Sequence, residues 1–248
     1  MENIVVKILC RYSSVLLLAS AVLFSQYSLA AVNVDRTRIV MSSSDKSLAI
    51  TLTNENKTLP YLAQSWVEDK DGKRQETFLL ALPPLQRIDG GKKAQVRIMA
   101  LPGTATLPRD RETLFYYNVR EVPPKSDQKN VLQIAMQSRL KLFWRPETIK
   151  KDNRQHSEEK LTITRGEGQV TLNNPTPYYI TLGYLGTGNK GSFPGFESAM
   201  VAPFSSEKVT TGSFGGDTLS VGYIDDFGGL QINEYHCAGA LCTLHKRG

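Results

Sequence analysis

Leu107-Pro108-Arg109-Asp110-Arg111-Glu112-Thr113-Leu114-Phe115-Tyr116-Tyr117-Asn118-Val119-Arg120-Glu121-Val122-Pro123-Pro124 is the stretch on which the reading of this chain turns. Its middle, Leu114 to Val122, is dense in aromatic and β-branched side chains, which suit the pleated, half-buried surface of a strand. Pro123-Pro124 closes it, because proline lacks the N–H that a helix or a central strand needs. The same grammar extends outward. Leu48-Ala49-Ile50-Thr51-Leu52-Thr53 and Gln95-Val96-Arg97-Ile98 alternate with period two, the pattern of strands with one buried face. Tyr61 to Val67 reads as another strand, followed by a charged turn, Glu68 to Arg74, containing Asp71-Gly72. Further along, Leu161-Thr162-Ile163, Val170-Thr171-Leu172, Tyr178 to Leu185, Leu219 to Ile224 and Tyr235 to Leu244 read as strands between glycine-rich turns. Short strands at such spacing predict an all-β chain with a β-sandwich in each half.

The first thirty residues read as an export signal. Lys7 and Arg11 form a basic start, Val15 to Phe24 an apolar run, and Ser28-Leu29-Ala30 the small residues of a cleavage site after Ala30. The run is too short to span a bilayer, which takes about 20 apolar residues. Removing it leaves 218 of the 248 residues, enough for two domains. Ile149 is the last apolar residue before the polar run Lys150 to Lys160, so the expected domains are 31–150 and 151–248. The net charge of +6 falls to +5 with the loss of Lys7, Arg11 and Glu2. No lysine-rich run interleaved with aromatics appears, and the balance reads as ordinary solubility rather than a nucleic-acid surface.

Cys10 lies in the segment removed. Cys237 and Cys242, in an exported chain, are most simply a disulfide closing a small loop. A metal site is the alternative; His236 and His245 are close by, while His156 sits in the charged linker. Enzyme signals are sparse. Gly186-Thr187-Gly188-Asn189-Lys190-Gly191 matches the dinucleotide fingerprint, but Ser192-Phe193-Pro194-Gly195 cannot readily open the helix that the pyrophosphate requires, so a strand-connecting loop is expected. No phosphate-binding loop, zinc helix or serine elbow occurs. The expectation is a protein without cofactor or metal that is not an enzyme and works without ATP.

Three segments stand out: Val34-Asp35-Arg36-Thr37-Arg38-Ile39-Val40, the stretch quoted above, and Asn130-Val131-Leu132-Gln133-Ile134-Ala135-Met136-Gln137 continuing to Lys141-Leu142-Phe143-Trp144-Arg145-Pro146. As a regular strand, the first would put Arg38 in phase with Val34 and Val40. In the third, Leu132, Ile134 and Met136 share a face opposite Gln133, Ala135 and Gln137. Period two alone is also satisfied by an ordinary core strand.

Together these segments resemble the periplasmic pilus-assembly chaperones, from the mature N-terminus to the final cysteines and throughout the eighteen-residue stretch. The resemblance implies a boomerang of two immunoglobulin-like domains around a cleft. It implies that Arg38 and Lys141 anchor the C-terminal carboxylate of a pilus subunit, and that Leu132, Ile134 and Met136 belong to a strand donated to that subunit. Glu112, Arg145 and Asp226 match an ion network joining the domains, and Cys237 and Cys242 a second-domain disulfide. The short Pro124–Asn130 segment resembles the branch serving rod-like pili. The implied activity is to bind and fold subunits by donor-strand complementation and deliver them to an outer-membrane usher. A free donor strand could also be covered by dimerisation. Two rivals remain at this point: a pilus subunit or adhesin, which should carry an alternating N-terminal extension, and an exported hydrolase built around one of the three histidines.

Overall fold

The computed structural model describes residues 31–126, 130–152, 156–188 and 191–246. The expected signal segment and its cleavage site lie outside these residues, as do Asn189 and Lys190 of the glycine-rich loop. In the first half the strands are β1 (Val32–Val34), β2 (Arg38–Ser42), β3 (Ser47–Asn54), β4 (Tyr61–Asp69), β5 (Leu79–Leu82), β6 (Leu85–Ile88), β7 (Lys93–Ala100), β8 (Thr113–Val122) and β9 (Gln137–Arg145). They form two sheets, β1-β3-β7-β5 and β2-β9-β8-β4-β6. Ile50, Leu52, Val96 and Ile98 of the first meet Val67, Phe115, Tyr117 and Leu142 of the second, so the period-two positions of the sequence become the core of a sandwich.

The stretch Val34–Val40 is not one strand. β1 pairs with β3 in the first sheet, whereas β2 pairs with β9 in the second. The crossing is held at Asp35, whose carboxylate accepts hydrogen bonds from Thr51 N (3.1 Å) and the Arg36 guanidinium (2.7 Å). Arg38 therefore shares no face with Val34. β1 is itself pinned by the buried carboxylate of Glu121, which accepts a hydrogen bond from Val32 N at 2.7 Å.

In the second half β10 (Thr162–Arg165), β11 (Gln169–Asn174), β12 (Ile180–Gly186), β13 (Ala199–Val201), β14 (Ser205–Thr210), β15 (Thr218–Ile224), β16 (Leu230–Ala238) and β17 (Leu241–Lys246) make one continuous sheet. Its order is β13-β12-β15-β16-β17-β10-β11-β14. The two edge strands are joined by only residues 202–204, so the sheet doubles over into two layers around Ile163, Leu172, Leu182, Val221 and Tyr235. The expected strand Tyr235–Leu244 is a hairpin instead, turning at Gly239 with φ of 63°. That turn sets Cys237 opposite Cys242, and their sulfurs are bonded. The thiolates that a metal would need are thus consumed. Both halves are immunoglobulin-like sandwiches, and the fold is all-β. Among the described residues helical structure is confined to short 3-10 turns, and no helix is long and apolar enough to cross a membrane.

Candidate functional site

The outer face of β9 runs from one half of the molecule onto the other. Phe143 is buried there against Tyr179, with ring centres 5.6 Å apart. Two residues on, Arg145 donates from Nε to Glu112 Oε1 (2.8 Å) and from both terminal nitrogens to Asp226 (2.7 and 2.9 Å). Glu112, only 3% exposed, also accepts from Tyr179 N through Oε2 at 2.8 Å. Glu112, Arg145 and Asp226 are therefore brought together, and the network spans the two halves. Burial pushes the Glu112 carboxyl above its ordinary value against the pull of Arg145. For Asp226 burial is the largest single influence and pushes upward, but the Arg145 hydrogen bonds together with the charges of Arg145, Lys151 and Arg38 outweigh it and hold the carboxyl below its usual range.

The turn that carries Asp226 is built locally. Asp225 Oδ1 accepts from Phe227 N and Gly229 N at 2.9 and 2.8 Å. Gly228 has φ of 90°, which L side chains rarely adopt, and a Cβ there would also meet Thr37 Oγ1, so a larger residue would be strained at this turn.

Arg38 and Lys141 are brought together as well. β2 and β9 run parallel, with Arg38 and Lys141 as register partners on neighbouring strands. Arg38 is only 8% exposed, and its Nη1 donates to Ile224 O at 2.7 Å. Lys141 is half-buried, and its ammonium has neither a hydrogen bond nor an ion pair among the described residues. Burial pushes Lys141 below its ordinary value, and the neighbouring Arg38 charge pushes the same way. Two adjacent cations with restricted access to water form a site that an anion relieves.

Residues 131–136 lie in no strand. The Met136 carbonyl accepts from Glu121 N at 3.0 Å, and Gln133 Nε2 donates to Pro124 O at 2.6 Å. Leu132, Ile134 and Met136 are 85, 67 and 45% exposed, which excludes the reading of this segment as a core strand. One side of β9 is taken by β8 from Gln137 onward, but β2 covers the other side only from Lys141. Between Gln137 and Leu140 no strand among the described residues pairs with that second edge, which is open there.

Two family models match the chain: the N-terminal domain of the PapD pili and flagellar-assembly chaperones over residues 31–150, and the PapD C-terminal domain over residues 156–235. The chain is a pilus-assembly chaperone of the PapD family. It is 42% identical to the chaperone protein PapD of Escherichia coli, over 88% of this chain and 91% of PapD. It is 46% identical to the E. coli K12 fimbrial chaperone YbgP, over 87% and 90% of the two chains. Among solved structures, the periplasmic chaperone SfaE is 35% identical, with a TM-score of 0.65 over 80% of this chain and 95% of that one. The Salmonella enterica SafA pilin in complex with the SafB chaperone gives 26% identity and a TM-score of 0.73, over 85% and 98%. The PapD family belongs to the chaperone–usher pathway and is not enzymatic, which removes the hydrolase reading and the reading as a subunit.

Several groups of this PapD-family site carry no sequence signal. Tyr179 and the Ile224 carbonyl face Phe143 and Arg38 only because the halves meet as they do. Glu121 looks like any charged strand residue, yet it holds β1. Beyond β12, Tyr184 Oη donates to the Gly188 and Gly191 carbonyls at 2.6 and 3.1 Å. Among the described residues after Gly191, no helix begins before β13.

Proposed function

We propose that this chaperone captures a pilus subunit along the open edge of β9 and completes its fold by donor-strand complementation. Leu132, Ile134 and Met136 enter the groove of an incomplete subunit, while Arg38 and Lys141 hold its terminal carboxylate. The observation that carries the reading is that the open edge ends at those two cations. β2 occupies the same edge beyond that point and runs parallel to β9. A subunit strand whose C-terminus meets Arg38 is collinear with β2 and therefore parallel to β9 too. Charge-assisted bonds to the carboxylate contribute about 1.5–3 kcal/mol each. They also prevent a one-residue slip, which would present Gln133 and Ala135 instead of Leu132 and Ile134.

The Glu112–Arg145–Asp226 network sets the angle between the two domains, taken as 31–150 and 151–248. The pilin bound to a relative in the SafA–SafB complex supports a subunit as the partner here. Export to the periplasm with cleavage after Ala30, delivery to an outer-membrane usher, and work driven by binding energy rather than ATP complete the proposal. The free protein covers its exposed segment by dimerising, and a monomer by sedimentation at high concentration would count against that point. The testing experiment is co-expression of a pilus subunit with wild type, Lys141→Ala or Arg38→Ala, followed by pull-down. Folded variants that recover no subunit are expected; equal recovery by all three refutes the anchor.

A further inference from the structure

The outer face of the β2-β9-β8-β4-β6 sheet extends well past the two anchor cations. Register places Arg139, Asn118 and Trp66 in one row across β9, β8 and β4, and Gln137, Arg120 and Gln64 in the next. The row through Lys141 continues to Tyr116 and Glu68. The outward positions of all five strands carry Arg38, Arg87, Arg120, Arg139, Lys141 and Arg145 and one carboxylate, Glu68. Arg87 is paired with Asp89, and Arg145 with Glu112 and Asp226, so Arg38, Arg120, Arg139 and Lys141 make up the excess.

These charges are held in place by aromatic rings. The Arg139 guanidinium carbon lies 3.4 Å from the centre of the Tyr116 ring. Trp66 has Arg74 at 4.9 Å and Arg120 at 5.4 Å. Trp66 Nε1 donates to Glu68 Oε1 (2.8 Å), and Glu68 Oε2 accepts from Arg139 (3.1 Å), so the lone carboxylate is already occupied within the array. Arg120 is oriented by the neutral Gln137 carbonyl at 2.8 Å. Guanidinium groups stacked on rings lose less freedom on meeting a carboxylate than solvated lysines do.

We propose that this face is a second recognition surface, a cationic wall that selects an acidic face on the captured subunit. The inference rests on the strand-capture reading above, because that reading places the subunit beside Arg139 and Gln137. Neighbouring strands stand about 4.8 Å apart, so Arg139 to Trp66 spans about 10 Å of wall. That reach lies within the roughly 20 Å over which charges act at 20 mM salt. The terminal carboxylate fixes where the subunit strand ends; the wall favours Asp and Glu over neutral residues along the side that faces it. Electrostatic complementarity of this kind raises the association rate and discriminates among partners.

The test uses two synthetic 15-residue strand peptides with alternating apolar residues and a free C-terminal carboxylate. They differ only in carrying three Asp or three Asn at the alternate positions, and binding is read by fluorescence anisotropy. Wild type should bind the Asp peptide about tenfold more tightly at 20 mM salt, and within twofold at 500 mM. The Arg120→Gln/Arg139→Gln variant should lose the preference while binding the Asn peptide as wild type does. Equal binding of both peptides by wild type at low salt, or a preference that survives in the variant, overturns the wall and leaves strand capture standing. If neither peptide binds, both readings fall. Displacement of the Asp peptide by an equal charge of single-stranded oligonucleotide would overturn its selectivity for protein.

Discussion

Replacing Leu132, Ile134 and Met136 together by serine separates binding from stability. Complete burial of one such side chain is worth about 1.5–3 kcal/mol. Only the surface still exposed in the free protein is available for new burial, and the exposures of 85, 67 and 45% amount to two side chains. The variant should therefore bind a subunit about 3–6 kcal/mol more weakly, or roughly 10²–10⁴-fold in Kd. The same exposure means that these residues contribute little to the free fold, so urea unfolding should shift by less than about 0.5 kcal/mol. Val131→Ser is the internal control: Val131 is exposed but alternates to the opposite face of an extended segment, and its loss should be under about fivefold. The assay pairs urea titration of the free proteins with competition for a labelled, refolding subunit. Unchanged affinity in the triple variant refutes the donor role, and so does an affinity loss matched by an equal loss of stability.

Other outcomes follow from the network and the disulfide. Arg145→Met leaves the buried Glu112 carboxylate without its cation and should cost about 3–5 kcal/mol in denaturant unfolding, part of which Glu112→Gln restores. Asp226 has a folded pKa below 3.8, so the unfolded chain takes up its proton first as pH falls, and stability declines with it. The advantage of wild type over Asp226→Asn should be full above about pH 4 and disappear as pH drops through the folded value, checked by unfolding midpoints across that window. Replacing Cys237 and Cys242 by serine opens a loop of sequence separation 5. A loop so short points to about 2 kcal/mol, read as a lower melting temperature without loss of subunit capture.

Much of the fold is legible in single strands. Ile50, Leu52, Val96 and Ile98 announce their burial by alternation, because a strand with one face in a core must repeat every two residues. β14, with the sequence Ser-Ser-Glu-Lys-Val-Thr and no alternation, was not legible; it is an edge strand whose side chains meet mostly water. The hairpin at Gly239 was hidden inside an apolar run, since two short strands and one long strand have the same composition. Of the site, the residue pattern of the third segment pointed to a strand with two distinct faces. It did not reveal that Leu132, Ile134 and Met136 stay uncovered, because period two describes a face and not what lies against it.

By itself, then, the amino-acid order determined the all-β class, the change of composition near residue 150, and the family through the stretch from Leu107 to Pro124. Only the tertiary structure decided that Arg38 and Lys141 stand side by side, that Arg145 reaches Asp226, and that β9 has an open edge ending at two cations. The reason is one of range. Periodicity and turn chemistry act over a few residues, whereas Arg38 and Lys141 meet through parallel pairing across more than 100 residues of chain. Which strands become neighbours is settled by closing both sandwiches at once, when every buried face has to find its cover.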